Sequence, residues 1–578
     1  MVSLDRRTLP SLLSAAGAAF GDSPALCRVA DGAVTTAYDY AQLAATTRRF
    51  AAALGDMGVK AGERVMILCE NRPEWAIAYF GASMAGAVAV PVLVDFTPDQ
   101  IANVAMHADV VAICASGKTL PKISGIDSSI PVVRLDEMDT DGYGVIEGGI
   151  PGRREYPKAD DSLRDSLRDS LRGDSLSASD LACIIYTSGT SGNSKGVMLT
   201  HGNLVENALA TRAVFALRPD DRVLSVMPLA HTLESTMGLI TPLLQGCSVH
   251  YLDRPPTAPV LASALLLVKP TIMVIVPLII EKLYRAKVEP KLRDHPLYRF
   301  APTRRLAIRA AGRKLEAAFG GSIRFLGIGG AALSRDVERF LLAARFPYAI
   351  GYGLTETAPL VAAAVPGKTR LGSTGRPLDG VEIRIAPPAD AEHAGTIRAL
   401  PIDAEGEIQV RGPNVMTGYY QDPERTAEVF TADGWFRTGD LGAFDSHGLL
   451  HVKGRLKAMI LGSSGENIYP EEIESALASS GLVEESLVYA AKDGALVAMV
   501  VLNEKAKAIL GEAKDAVHEA SSAAVKETER LLAGLRAATN ARLASFSRIA
   551  RISIHEMPFE KTATLKIKRY LYPTTQAT

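Results

Sequence analysis

Four consecutive segments near the N-terminus switch periodicity in a way that few architectures accept. YDYAQLAATTRRFAAALGDMGV (38–59) places its apolar residues at helical spacing and ends on a glycine. RVMILC (64–69) is a short apolar run, PEWAIAYFGASMAGA (73–87) is helical again, and VAVPVLV (88–94) returns to a run. Short apolar runs alternating with helices read as buried strands joined by crossovers, which constrains this part to a layered α/β domain with parallel strands. The alternation resumes from Leu181 to about Leu450 through CSVHYL, TIMVIVP, IRFLGIGGAAL and PYAIGYG. GEIQVRG and GLLHVKGR are short and alternating, and predict a smaller β-rich piece ahead of a boundary. After Arg455 the composition shifts to an Ala/Lys/Glu-rich helical stretch at 504–543 and a basic ending, LKIKRYLY. The expected division is therefore an N-terminal domain at 1–454 and a small α+β domain at 455–578.

A chain of 578 residues exceeds one ordinary core, which agrees with at least two domains. Its 47% hydrophobic and 22% charged residues are those of a globular protein, and a net charge of −1 gives no global field for nucleic acid. The five cysteines (Cys27, Cys69, Cys114, Cys183, Cys247) include no C-x-x-C pair and read as buried thiols in a reducing compartment. The N-terminus lacks the pattern of a signal peptide and reads as an amphipathic helix, and the apolar stretch at 259–280 is cut by Lys269-Pro270. These features predict a cytoplasmic protein. Between 282 and 314 stand eleven lysines and arginines, which read either as a solvated helical face or as a peripheral contact with anionic lipid on the inner membrane face. Three tandem Asp-Ser-Leu-Arg tetrads within 161–177 read as a low-complexity surface linker with no assigned function.

The stretch YTSGTSGNSKGVMLTHGN carries the first chemistry. From Thr187 to Lys195 it holds five hydroxyls, two glycines and a lysine. A flexible linker has the same composition, but here the apolar runs LACIIY and GVMLTH flank it. A loop clamped between two strands can converge its NH groups, hydroxyls and lysine on phosphate oxygens. The P-loop pattern G-x-x-x-x-G-K-[ST], with a helix opening at the lysine, is not met, because Gly196 and an apolar strand follow Lys195. GYGLTETAP (351–359) then sets an aromatic and a Thr-Glu pair on one turn after a strand, a combination that can stack on a base and hold Mg²⁺ beside phosphates. GWFRTGDLG (434–442) brackets Asp440 with glycines, suited to accepting two ribose hydroxyls. GRLKAMILGSSGENIYPEEIE (454–474) joins a basic cluster to a second Gly/Ser loop.

In this order, and over about residues 10–572, these segments resemble the adenylate-forming superfamily of acyl-CoA synthetases, peptide-synthetase adenylation domains and luciferases. PLAHTLE (228–234), GENIYPEEIE and PFEKTATLKIKR are most similar to bacterial long-chain fatty acid–CoA ligases. The resemblance implies ATP, Mg²⁺ and CoA as cofactors and a carboxylic acid, medium- or long-chain fatty, as substrate. It implies that Thr187, Ser188, Gly189, Thr190, Ser191, Gly192 and Lys195 cradle the β- and γ-phosphates. Tyr352 with Gly353 lies against adenine, and Gly329, Gly330 and Ala331 line the base and acyl pockets. Thr355 contacts the α-phosphate, Glu356 pairs with Mg²⁺, and Asp440 and Arg455 hold the ribose. Lys566 is the mobile lysine that bridges carboxylate and α-phosphate, although Leu565 stands where the family often has glycine. Lys457 falls at the hinge of the small domain, and the 462–467 loop lines the thiol passage. His231 is placed near the acyl pocket, where a structural hydrogen bond is an equal reading.

Other functions share much of this sequence. An acyl-AMP ligase would pass the acyl group to a carrier-protein phosphopantetheine, with APPADAEHAGTIRALPID (386–403) as a modest insertion. An inactive lipid- or nucleotide-binding relative would have lost some of Lys195, Glu356, Asp440, Arg455 and Lys566, all of which are present. The apolar stretches 260–268 and 271–280 read as core or as the lining of an acyl tunnel.

Overall fold

The computed structural model describes residues 4–138, 146–147, 175–187, 195–387, 399–461, 467–491, 493–515, 522–561 and 567–572. The Asp-Ser-Leu-Arg repeats, most of the phosphate-type loop (188–194), residues 388–398 of the expected insertion, and Lys566 lie outside these residues.

Two large sheets dominate the part before residue 455, one of nine strands and one of eight. At the centre of the first, Ser248–Leu252, Arg222–Ser225, Ile272–Ile275, Phe325–Ile328 and Tyr348–Gly353 are all parallel neighbours. In the second, Arg64–Leu68 pairs in parallel with Val88–Pro91 and with Val110–Ala115, as the alternating N-terminal pattern predicts. The helix between those strands, Pro73–Met84, is buried at every position. Apart from Glu74, which pairs with Arg28 and Arg72, and Ser83, its side chains are apolar on all sides, and it packs in the core cluster that takes Val65 and Ile67 from one sheet and Val223 and Val249 from the other. Its indole Trp75 stacks on Tyr79 at 5.1 Å.

A four-stranded sheet of Glu382–Ala386, Gly406–Arg411, Phe436–Phe444 and Leu450–Arg455 is antiparallel throughout, the β-rich piece expected from the short alternating runs. Beyond it, Val483–Ala490, Leu496–Leu502 and Arg551–Ile554 form a three-stranded sheet. The helices Pro470–Ala478 and Ser522–Asn540 contribute Ile473, Leu477 and Leu535 to the core of this unit, an α+β arrangement. All five cysteines are buried and free.

No helix among the described residues is long and apolar enough to cross a membrane. The helix Ala258–Val268 stops because Lys269 takes the left-handed conformation at φ 48° ahead of Pro270.

Candidate active site

The C-terminal ends of parallel strands open onto one cavity of about 2720 Å³, where open α/β sheets present their sites. Gly329, Gly330 and Ala331 follow the strand Phe325–Ile328, and Tyr352 and Gly353 end the strand Tyr348–Gly353. Only glycine serves at 353, since a Cβ there would lie 1.9 Å from the Pro359 carbonyl oxygen. Gly330 holds φ at 84°, a left-handed turn that carries the chain sharply away from the sheet. The loop 187–195 joins the antiparallel strands Leu181–Thr187 and Lys195–Thr200, so its two ends, Thr187 and Lys195, face each other in register. Of the residues given a role in the sequence, Thr187, Lys195, His231, Gly329, Gly330, Ala331, Tyr352, Gly353, Thr355, Glu356, Asp440, Arg455 and Lys457 line this cavity.

Two polar clusters stand out. In the first, the Tyr352 hydroxyl donates to Asp440 Oδ2 at 2.7 Å and Arg455 Nε meets Asp440 Oδ1 at 2.8 Å. Antiparallel pairing of Asp440 with Arg455 brings the ion pair together, and Thr438 Oγ1 accepts the Asp440 N–H at 3.0 Å. The adjacent Asp440 carboxylate holds Arg455 above its ordinary value, and burial raises the Tyr352 hydroxyl well above the usual tyrosine range. In the second cluster, Tyr419 donates to Glu356 Oε1 at 3.0 Å, and Lys195 Nζ sits 4.9 Å from the centre of the same Tyr419 ring. Burial lowers the Lys195 ammonium, against the opposing pull of Glu356. A single carboxylate beside a lysine suits a divalent cation shared with phosphate oxygens, which is how Mg²⁺ is usually bound.

His231 is pinned by the turn that carries it. Asn71 Nδ2 donates to the Met227 carbonyl at 2.5 Å and to Ser225 Oγ at 3.0 Å, while Asn71 Oδ1 accepts from Leu229 N at 2.8 Å. Ser225 in turn donates to the buried Glu234 at 2.6 Å, and His231 Nδ1 accepts from Leu233 N at 3.2 Å. Asn71, Glu234 and Tyr419 received no role in the sequence reading. Tyr419 belongs to the two-residue strand Gly418–Tyr419, and its only signal is the glycine before it. Of the two apolar stretches, Ile272, Val274 and Val276 line the cavity, whereas 260–268 contributes nothing to it and buries Ala264, Leu265 and Val268 in a core cluster.

A model of the family described as AMP-binding enzyme matches residues 13–420. The chain is 29% identical over 577 residues to the long-chain-fatty-acid–CoA ligase FadD15 of Mycobacterium tuberculosis, covering 94% of this chain and 91% of that one. It is 32% identical over 472 residues to a feruloyl-CoA synthase of Amycolatopsis sp, covering 79% and 81%. Among solved structures, the ATP-bound RpMatB–BxBclM chimera B1 superposes with a TM-score of 0.73 at 25% identity, over 98% of both chains.

Proposed function

Because the chain belongs to the AMP-binding enzyme family, we propose that its cavity activates a medium- or long-chain fatty acid, with the residue roles that follow. The reaction is the AMP-forming ligation of a carboxylic acid to CoA: ATP and acid give acyl-adenylate and pyrophosphate, then CoA gives the thioester and AMP. A carboxylate and a triphosphate repel each other, so catalysis here is mostly positioning and charge stabilisation. Tyr352 and Gly353 hold adenine, Asp440 and Arg455 take the ribose hydroxyls, and Gly329, Gly330 and Ala331 wall the base and acyl pockets. Thr187, Lys195 and the intervening 188–192 residues bind the β- and γ-phosphates, and Thr355 the α-phosphate. Glu356, oriented by Tyr419, holds Mg²⁺, which neutralises phosphate charge when bound. The acid's carboxylate oxygen attacks the α-phosphorus as pyrophosphate leaves, with Lys566 bridging the two anions. The small unit at 455–578 then turns about Lys457 relative to 1–454, withdrawing Lys566 and bringing the 462–467 loop to the thiol passage. His231, set by the Asn71 clamp, stands at the acyl end.

The observation that carries this reading is the meeting, in one cavity, of the Tyr352–Asp440–Arg455 cluster with the Lys195–Tyr419–Glu356 cluster. Fatty-acid-dependent exchange of labelled pyrophosphate into ATP tests it, and its absence with every acid would refute it. CoA, rather than a carrier-protein phosphopantetheine, is the acceptor we assign, and relatives whose names specify CoA ligation support that choice.

We place the protein in the cytoplasm, which its free cysteines support, with 282–314 as a peripheral contact for anionic membrane. Within that segment Leu297, Phe300 and Leu306 are 41%, 63% and 58% exposed, among the exposed Arg293, Arg299, Arg304, Arg305 and Arg309. Arg285 is engaged elsewhere, with the Ala478 carbonyl and Asp336. Co-sedimentation with anionic but not zwitterionic vesicles is the expected result, and binding to neither would remove the membrane from this account.

A further inference from the structure

One helix of the C-terminal unit, Pro470–Ala478, is held at both ends by residues that precede Arg455. At its start the Tyr469 hydroxyl donates to Glu405 Oε2 at 2.7 Å, while Lys453 Nζ meets Glu405 Oε1 at 3.0 Å. At its end Ser479 Oγ donates to Asp336 Oδ1 at 3.1 Å, and the Arg285 guanidinium donates to the Ala478 carbonyl. That carbonyl is among the last four of the helix, which have no partner within it and carry the negative end of its dipole, so a cation from outside caps it. Arg285 also lies 3.6 Å from Asp336, and the two side chains are 21% and 22% exposed. Partly buried charges are screened less than open surface pairs. By contrast, the Arg335–Glu472 pair at 3.3 Å is 62% and 45% exposed and adds little to this seat.

The same helix fixes the end of the chain. Arg569 donates to both Glu474 oxygens, at 2.7 and 2.6 Å, and to the Val488 carbonyl at 3.3 Å. Glu474 also accepts the Val488 N–H at 2.8 Å, so helix, sheet and C-terminal run are tied at one carboxylate. Ile567, Lys568 and Arg569 line the active-site cavity, and Lys566 directly precedes them in sequence. A continuous path therefore runs from Arg285 and Asp336 to residues 478–479, along the helix to Glu474, and across to Arg569 at the cavity. Tyr469, Ala478 and Ser479 belong to the unit that turns about Lys457, whereas Glu405, Asp336 and Arg285 do not. A turn must break the contacts at both helix ends.

Resting on the two-step reaction and the turn of the small unit proposed above, we propose that Arg285 and Asp336 are positioning residues. They latch the end of helix Pro470–Ala478, hold the C-terminal run against the cavity for acyl-adenylate formation, and so set the balance between the two half-reactions. The latch acts only on the orientation in which 567–569 face the cavity, so its loss shifts the population towards the thioester-forming orientation.

The test measures both half-reactions of the full-length enzyme in single turnovers: acyl-adenylate formation from ATP and dodecanoate, and transfer from preformed dodecanoyl-adenylate to CoA. In Arg285→Ala the ratio of the first rate to the second falls by about tenfold, the scale of one hydrogen bond to a charged group. Ser479→Ala, which removes a single hydroxyl from the same seat, lowers it by about threefold. Arg285→Lys, which keeps the cation, falls between Arg285→Ala and wild type. Transfer to CoA persists in every variant that folds, and a merely structural loss lowers both rates together. A ratio that stays at the wild-type value in Arg285→Ala and Ser479→Ala would overturn the proposal. Should Arg285→Ala lose both activities, Ser479→Ala decides alone. If the wild-type enzyme forms no acyl-adenylate from dodecanoate or any other fatty acid, the activation reading itself fails and takes this inference with it. That outcome is distinct from robust wild-type turnover with an unmoved ratio.

Discussion

The Tyr352 hydroxyl donates to Asp440 at 2.7 Å across 88 residues of sequence, and Arg455 closes on the other Asp440 oxygen at 2.8 Å. A buried carboxylate so held is pre-oriented to accept hydroxyl donors. Asp440→Asn keeps the shape but removes the charge and leaves Arg455 without its counter-ion. The KM for ATP should rise by about ten- to hundredfold, the scale of a lost charge-assisted bond, while the KM for the acid changes little. Tyr352→Phe should cost less, because it removes one donor and leaves the ion pair. Steady-state kinetics with each substrate varied in turn separates these, and equal rises in both KM values would contradict the assignment.

Tyr419 connects Glu356 to Lys195, donating to the first at 3.0 Å and lying under the second at 4.9 Å. Tyr419→Phe retains the ring and deletes the bond to the carboxylate. We expect about a tenfold loss in kcat/KM for ATP and a higher Mg²⁺ concentration for half-maximal rate. A Mg²⁺ titration at fixed ATP decides the point, and an unaltered Mg²⁺ dependence would detach Glu356 from the metal.

Glu234 supplies a pH signature. Burial raises its carboxyl from 4.5 to about 8, with Ser225 donating to it as a weaker opposing influence. The unfolded chain ionises this group above pH 4.5 and the folded chain only near 8, so its stabilising contribution is complete below the first value and is lost towards the second. Between those limits wild-type stability should fall relative to Glu234→Gln by about 1.4 kcal/mol per pH unit. Urea denaturation of both proteins from acid to mildly alkaline pH measures it. A difference that stays constant with pH would show that Glu234 is not neutral in the folded protein.

Lys566→Ala should cost roughly 10²–10³ in adenylation, the scale of one lost stabilising donor, and largely spare thioester formation from preformed acyl-adenylate. Single-turnover assays of the two half-reactions give the comparison. Equal losses in both would refute the division of labour between the two conformations.

The alternation of helix and strand was legible because buried strands and their crossover helices differ in hydrophobic period, as at Arg64–Leu68 and Pro73–Met84. That Tyr352, Glu356, Asp440 and Arg455 line one cavity was legible in the glycine-bearing motifs GYGLTETAP, GWFRTGDLG and GRLKAMILG, because glycine lets the backbone bend sharply at strand ends. Tyr419 was not, since a tyrosine in a two-residue strand carries no local pattern and acquires its role only through Glu356, 63 residues away. Asn71 was equally silent: its clamp on the His231 turn spans more than 150 residues of sequence. The fate of 260–268 also needed the structure, because an apolar run looks alike whether it lines a cavity or fills a core.

Product identification by mass spectrometry tests the central claim most directly. Purified enzyme would receive ATP, Mg²⁺ and CoA with a saturated fatty acid series and with benzoate. The account predicts acyl-CoA and AMP from fatty acids, with pyrophosphate released in equal amount. Acyl-adenylate accumulating without thioester, or no ATP consumption with any acid, would contradict it.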